Sequence, residues 1–132
     1  MTDLEPALAK LRELRAIGVQ LAVDDFGSGY SSLNYVRSFP INLLKIDRAF
    51  IADMNKPGEV ASLARTIIDL TEILGITAIA EGIERPAQLE QLRSIGCTLG
   101  QGFLFMEPVP AAEIERELER RLDSQEAARL SA

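Results

Sequence analysis

Two adjacent carboxylates, Asp24 and Asp25, directly follow a short and mostly apolar run at residues 19–23. Such a run is typical of a buried strand. Both aspartates can reach one site only if the strand ends there and the chain begins to turn. Carboxylate oxygens are suitable ligands for Mg²⁺ or Mn²⁺. The pair therefore predicts a metal site, and the alternative is two loop carboxylates, one of which caps the following turn.

Lys45 lies near the end of a second apolar run, at residues 41–46. A buried ammonium group is costly unless it is paired, so an inward-facing lysine indicates an acidic or phosphate partner. Two alternatives remain open. Lys45 could lie on the outside of the sheet with its stem extended to solvent, or it could form a surface pair with Asp47.

Glu81 and Gln101 follow the remaining two predicted strands. Glu81 comes directly after the apolar run 76–80, and as a metal ligand or base it would complement the two aspartates. The alternative is a capping or salt-bridging role, for which the nearby Glu84 is the better candidate. Gln101 lies in a weaker strand, at 98–103, and its amide could bond a nucleobase edge, a water or the local backbone.

Helices alternate with these strands. Apolar residues at steps of three and four predict helices over 4–14 and 60–74, and Pro86 and Pro110 begin two more. This alternation predicts a parallel α/β fold. The polar residues follow the carboxyl ends of all four strands, where a (β/α)₈ barrel carries its chemistry. We therefore expect about four βα units, which make half of such a barrel.

A doubly wound fold that binds nicotinamide or flavin is the alternative architecture. It requires a glycine-rich turn directly after the first strand. Here the turn Gly27-Ser28-Gly29 comes after two aspartates, which would repel a pyrophosphate unless a cation intervened. That fold would also give no role to Lys45 or Glu81, so we favour the barrel.

Composition excludes several functional classes. The chain has 132 residues, no histidine, one cysteine and a formal net charge of -6. The charge argues against a DNA- or RNA-binding protein, and the missing histidine excludes a Ser-His-Asp or Cys-His mechanism within this chain. No apolar run approaches the ~18 residues of a membrane span, and the acidic N-terminus is unlike a secretory signal. We expect a cytoplasmic protein, or a cytoplasmic part of a larger one.

Four motifs occur in an order that resembles the EAL family of cyclic di-GMP phosphodiesterases. They are DDFGSGYSSL at 24–33, LKIDR at 44–48, IAEGIE at 79–84 and QGFLF at 101–105. The resemblance covers about residues 1–120 and begins at the family's fifth barrel strand. It implies a (β/α)₈ barrel whose mouth holds two divalent ions, Mg²⁺ or Mn²⁺. It also implies hydrolysis of the bacterial second messenger cyclic di-GMP to pGpG in signal transduction.

The same resemblance implies a role for each matching residue. Asp24, Asp25 and Glu81 are then metal ligands, and Lys45 and Glu81 are catalytic. Gln101 is then a substrate-binding residue. The regulatory loop, which in the family couples metal occupancy to dimerisation, then comprises Phe26, Gly27, Ser28, Gly29, Tyr30, Ser31 and Ser32. Ser28 stands where the family more often has threonine, and it keeps the hydroxyl group.

In the family, the Glu-Ala-Leu signature and further metal ligands lie upstream of the position that Met1 occupies. We therefore expect a partial EAL domain at 1–122, with barrel strands five to eight, and a polar tail at 123–132. Alone it should have little activity. Its exposed strand edges and apolar lining favour a homodimer or pairing with a complementing N-terminal half-barrel. The alternative function is a non-catalytic module that binds cyclic di-GMP or a protein.

Overall fold

The computed structural model describes residues 4–26, 33–52, 54 and 59–130. Within this part, one or two helices separate successive strands. None of these helices is long and apolar enough to cross a membrane. The strands are β1 (Ala22–Phe26), β2 (Leu43–Ile46), β3 (Thr77–Ala80) and β4 (Leu99–Gly100). The helices are α1 (Leu4–Ala16), α2 (Leu33–Ser38), α3 (Arg48–Ala52), α4 (Glu59–Leu74), α5 (Pro86–Ser94) and α6 (Ala111–Leu130).

The four strands form one parallel sheet in the order β1-β2-β3-β4. Leu43 of β2 aligns with Ala22 of β1 and with Thr77 of β3. Chain order and spatial order therefore coincide, as they do in a (β/α)₈ barrel. The predicted fold class, four βα units arranged as half of such a barrel, is confirmed.

One face of the sheet is buried beneath helices. Leu44 and Ile46 of β2 have no exposed surface, and they belong to a core that includes Ile67 and Ile68 of α4. Helix α4 contacts both β2 and β3. Alternate residues of a strand point to opposite faces, so Leu43 and Lys45 lie on the other face, where they are only half-buried.

The first strand begins later than the sequence predicts. The apolar run 19–23 predicted a strand that ends before the aspartate pair, but β1 starts at Ala22 and continues through the pair to Phe26. Val19 cannot join the sheet because its N–H donates to the carbonyl oxygen of Leu14 at 3.2 Å, closing the end of α1.

Two other boundaries differ in length from the sequence pattern. The fourth strand is only Leu99–Gly100, shorter than the predicted 98–103. Helix α6 includes residues 123–130, which the sequence assigned to a polar tail. The short helices α2 and α3 were not predicted, because each has fewer than two turns and too little periodicity to detect.

The aspartate pair lies on a β-bulge. Val23 aligns with Leu44 and Phe26 with Ile46, so the two aspartates together lie opposite Lys45. Asp25 has a φ of 52°, in the left-handed region, and its N–H donates to Oδ1 of Asp24 at 2.8 Å. An extra residue in a bulge redirects side chains that would otherwise alternate. Consecutive aspartates can therefore face the same side of the sheet without the strand ending.

Replacing Leu44 by alanine should destabilise the fold substantially, because Leu44 is fully buried between the sheet and the helices. A large-to-small change at such a site costs about 2–5 kcal/mol in the free energy of unfolding. The matched control is Leu63→Ala on α4, where the leucine is 44% exposed and the loss should stay below about 1 kcal/mol. Urea unfolding measures both, and equal losses would contradict the assigned core.

Glycine should be more stable than alanine at position 25, because a Cβ in left-handed backbone costs about 1 kcal/mol. Asp25→Gly and Asp25→Ala remove the same charge, so the difference in their unfolding free energies isolates the backbone conformation. At Asp24, which does not have a positive φ, the same two substitutions should give the opposite order. If alanine is the more stable residue at both positions, the bulge is not formed as described.

Candidate active site

Four charged side chains from three strands converge at the carboxyl end of the sheet. Asp24, Asp25 and Glu81 each place a carboxylate oxygen within 4.8 Å of the others. The Nζ of Lys45 lies 3.5 Å from Oδ1 of Asp24 and forms an ion pair with Oε1 of Glu81. We call these four residues the carboxylate cluster.

The register of the strands explains this convergence. Lys45 aligns with Ile79 of β3, and Glu81 follows two residues later on the same face of the sheet. The N–H of Glu81 donates to the carbonyl oxygen of Ile46 at 3.1 Å, which extends the ladder one residue beyond β3. Glu81 is therefore held beside the end of β2, within reach of Lys45.

Both alternatives for Lys45 are wrong. Its partners are Glu81 and Asp24, on the face that the helices do not cover. Asp47 instead accepts a hydrogen bond from the N–H of Ala49 at 2.7 Å, at the start of α3. Glu84 is exposed, and its backbone N–H donates to Oε1 of Gln88, so the helix α5 terminus is closed by Gln88.

The cluster is partly screened from water. The side chains of Lys45 and Glu81 are 23% and 18% exposed, whereas that of Asp24 is 62% exposed. The hydrogen bond to Glu81 raises the pKa of the Lys45 ammonium, burial opposes this change, and the negative charges of Glu81 and Asp24 reinforce it. Lys45 therefore remains protonated and acts as a fixed cation.

The charge of the cluster suits a divalent cation. Three carboxylates and one ammonium leave a net charge of minus two, which one divalent ion would balance. All the ligand atoms on offer are oxygens, as Mg²⁺ and Mn²⁺ prefer. The residues present therefore fit such an ion, with Asp24, Asp25 and Glu81 as its ligands.

Gln101 stands at the same edge of the sheet. Its N–H donates to the carbonyl oxygen of Ala80 at 2.8 Å, and its own carbonyl oxygen accepts from Ile83 at 3.1 Å. The next residue, Gly102, lies so close to the backbone of Ile83 that a Cβ there would clash. The backbone of Gln101 is therefore fixed beside the segment that carries Glu81, and its side chain is exposed to solvent.

Only one end of the predicted regulatory loop can be placed. Phe26 is the last residue of β1 and is buried in the core, 6% exposed. Residues 27–32 lie outside the described part of the chain. Phe26 therefore anchors the start of this segment to the sheet through its packing.

Sequence patterns missed one contact beside the cluster. Arg48, the first residue of α3, packs its side-chain stem against Gly82, where a Cβ would clash with it. Gly82 has a φ of 75°, which favours glycine. One usable signal was present in the sequence, a glycine directly after a carboxylate at a strand end, but the identity of its neighbour depends on the fold.

Comparison with known proteins agrees with this geometry. The profile of the EAL domain matches residues 1–108. The cyclic di-GMP phosphodiesterase NbdA of Pseudomonas aeruginosa is 42% identical over 118 residues, which are 89% of this chain and 15% of NbdA. The chain thus spans a small part of the length of this relative.

Solved structures show the same likeness. The PaMucR phosphodiesterase in complex with c-di-GMP superposes with a TM-score of 0.78 at 41% identity, over 86% of this chain and 46% of that one. The Klebsiella pneumoniae BlrP1 manganese/cy-diGMP complex gives a TM-score of 0.71 at 36% identity, over 78% of this chain and 26% of that one. With the match covering most of its residues, the chain belongs to the EAL domain family.

Proposed function

We propose that this chain supplies one half of a cyclic di-GMP phosphodiesterase site, which in the complete domain hydrolyses cyclic di-GMP to pGpG. The observation that carries the proposal is the carboxylate cluster, in which three potential metal ligands converge and two of them, Asp24 and Glu81, lie against Lys45. The relative NbdA is a cyclic di-GMP phosphodiesterase, and the BlrP1 structure holds manganese and the cyclic dinucleotide. Both support the same substrate and the same class of cation.

Asp24, Asp25 and Glu81 would hold the metal, with Mg²⁺ or Mn²⁺ as the expected ions and two in the complete site. When bound, such ions activate a water and stabilise the oxygens of an in-line displacement at phosphorus. The ammonium of Lys45 donates hydrogen bonds and offsets negative charge that develops on the phosphoryl oxygens. Its ion pair with Glu81 fixes its position, so little reorganisation is needed.

Within this chain, proton transfer falls to a carboxylate, because the chain has no histidine and Lys45 stays protonated. Oε1 of Glu81 is paired with Lys45, so Oε2 would be the oxygen that faces the metal and its water, as a ligand or as the acceptor of a proton. Gln101, at the same edge of the sheet, offers both a donor and an acceptor to a guanine edge or to that water.

The chain alone should turn over little substrate. The net charge of the cluster balances one divalent ion, so a second ion requires oxygen ligands from elsewhere. In the described part of the chain, β1 and β4 each have a single strand neighbour. Those two edges fit a complementing N-terminal half-barrel, or a second copy in a homodimer, in a cytoplasmic protein with residues 1–122 as the partial domain.

We base the regulatory role proposed for residues 26–32 on the way Phe26 is attached to the sheet. Phe26 is buried in the core, and the preceding residue is a proposed metal ligand with left-handed backbone. A change in metal occupancy at Asp25 would therefore act directly on the start of this segment. That is the physical basis we infer for coupling between metal binding and dimerisation.

The purified chain, incubated with cyclic di-GMP and Mn²⁺ or Mg²⁺, should release pGpG at no more than the background rate, as measured by chromatography. Addition of the N-terminal half of the NbdA phosphodiesterase domain, in trans or as a fusion, should restore hydrolysis. In that assembly Lys45→Met should lower kcat by about 10²- to 10³-fold, the usual cost of removing one charge-stabilising donor. Lys10→Met, an exposed lysine on α1, is the matched control. Robust turnover by the monomeric chain alone would disprove the half-site proposal.

Binding of Mn²⁺ to the chain should respond to the charge of the cluster in both directions. Asp25→Asn should weaken binding by about tenfold, because one anionic ligand is lost, and Lys45→Met should strengthen it, because a competing cation is removed. Asp69→Asn, on the exposed side of α4, should change nothing. Titration followed by electron paramagnetic resonance measures all four proteins. Cyclic di-GMP binding that persists in EDTA and ignores these substitutions would instead favour the non-catalytic binding module.

A further inference from the structure

A cleft of about 270 Å³ lies between α3 and α5, beside the carboxylate cluster. Its α3 wall carries Arg48, Ala49 and Ala52, and its other wall carries Gly82, Arg85 and Gln88. All of these residues lie between positions 48 and 88. The described residues that line the cleft therefore all come from one stretch of this chain, and they form it without another half-barrel.

Three small residues in its walls leave room in the cleft. Ala49 and Ala52 project no more than a methyl group, and Gly82 has no side chain. The stem of Arg48 packs against Gly82. That contact fixes the base of the Arg48 side chain at the cleft and leaves its guanidinium end exposed.

Gln88 lies in the floor of the cleft and is held by three hydrogen bonds. Gln88 is 4% exposed, and its Oε1 accepts hydrogen bonds from the N–H groups of Glu84 at 2.9 Å and Arg85 at 3.0 Å. Its Nε2 donates to the carbonyl oxygen of Ile51 at 3.2 Å. Gln88 thus ties α3 to the start of α5, and the charged side chains of the rim are the groups that can attract an anion.

The rim is positively charged. Arg48 and Arg85 are both exposed, and neither forms an ion pair with a carboxylate in the described ranges. Glu84 also lines the cleft, so its net charge is plus one. Two guanidinium forks that share one small cleft match the oxygens of a phosphate group, to which arginine binds in bidentate fashion.

We propose that this cleft binds a dianionic phosphate group, either inorganic phosphate or the terminal phosphate of a monoester. The small size of the cleft excludes a bulky ligand, since typical ligand pockets occupy about 300–1,000 Å³. A phosphodiester carries one negative charge per phosphate and offers less to two arginines than a dianion does. The proposal does not require hydrolysis of cyclic di-GMP, because the arginines are not part of the carboxylate cluster.

Titration calorimetry of the chain with inorganic phosphate, in EDTA and at low ionic strength, tests the site. Wild-type chain should show saturable binding at one site. Arg48→Ala and Arg85→Ala should each weaken it by at least about fivefold, and Glu84→Gln should tighten it, because an opposing charge is removed. Arg65→Ala, which removes an exposed arginine from α4, is the matched control and should stay within about twofold of wild type.

Ala49→Glu provides a second test that keeps both arginines, since it adds a carboxylate to the cleft and should abolish binding. Circular dichroism checks that each variant retains its helices. Competition by guanosine 5′-monophosphate would identify a monoester as the ligand, and competition by sulfate alone would identify a free anion; both outcomes support the site. Absence of saturable binding to the wild type, or an equal loss in Arg65→Ala, would overturn it. EDTA removes metal from the assay, so a failure here is distinct from a failure of phosphodiester hydrolysis.

Discussion

The ammonium group of Lys45 lies among carboxylates that would otherwise repel one another. It pairs with Glu81 and lies 3.5 Å from Asp24, on the face of the sheet that the helices leave uncovered. Without this cation, three acidic side chains from neighbouring strand ends would be held close together against their mutual repulsion. Lys45 therefore allows β1, β2 and β3 to end at one level. It also leaves the cluster with a net negative charge that a divalent ion can balance.

The position of that cation depends on the backbone more than on any side chain. The bulge in β1 places two aspartates opposite the single residue Lys45, at the cost of left-handed backbone at Asp25. On the other side, the regular register between β2 and β3 brings Glu81 beside the end of β2. Lys45 in β2 thus lies between the bulged strand β1 and the regularly paired strand β3. Since bulges commonly occur beside active sites, the strain at Asp25 is consistent with a functional position.

The order of the strands and of the four longer helices could be read from the sequence, and so could the residues of the cluster, because apolar periodicity and polar residues at strand ends are local signals. The start of β1 could not be predicted from the sequence. Val19 has the apolar side chain of a strand residue, but its N–H closes the end of α1. The bulge could not be predicted from the sequence either, because an aspartate is compatible with left-handed backbone but does not indicate it. Similarly, the contact between Arg48 and Gly82 joins residues far apart in sequence and depends on how α3 packs.

A partner that covers the open face of the sheet would bury its apolar residues and the carboxylate cluster together, because both lie on that face. Leu43 and Ile79 lie on that face beside Lys45, only half-buried, and Leu99 in β4 is 45% exposed. A half-barrel or a second chain that covered these apolar residues would remove water from the cluster as well. Charge interactions strengthen as the local dielectric falls, so the ion pair of Lys45 with Glu81 and the attraction of the cluster for a cation would both increase. The free energy gained by burying the apolar lining would therefore also organise the charges for catalysis.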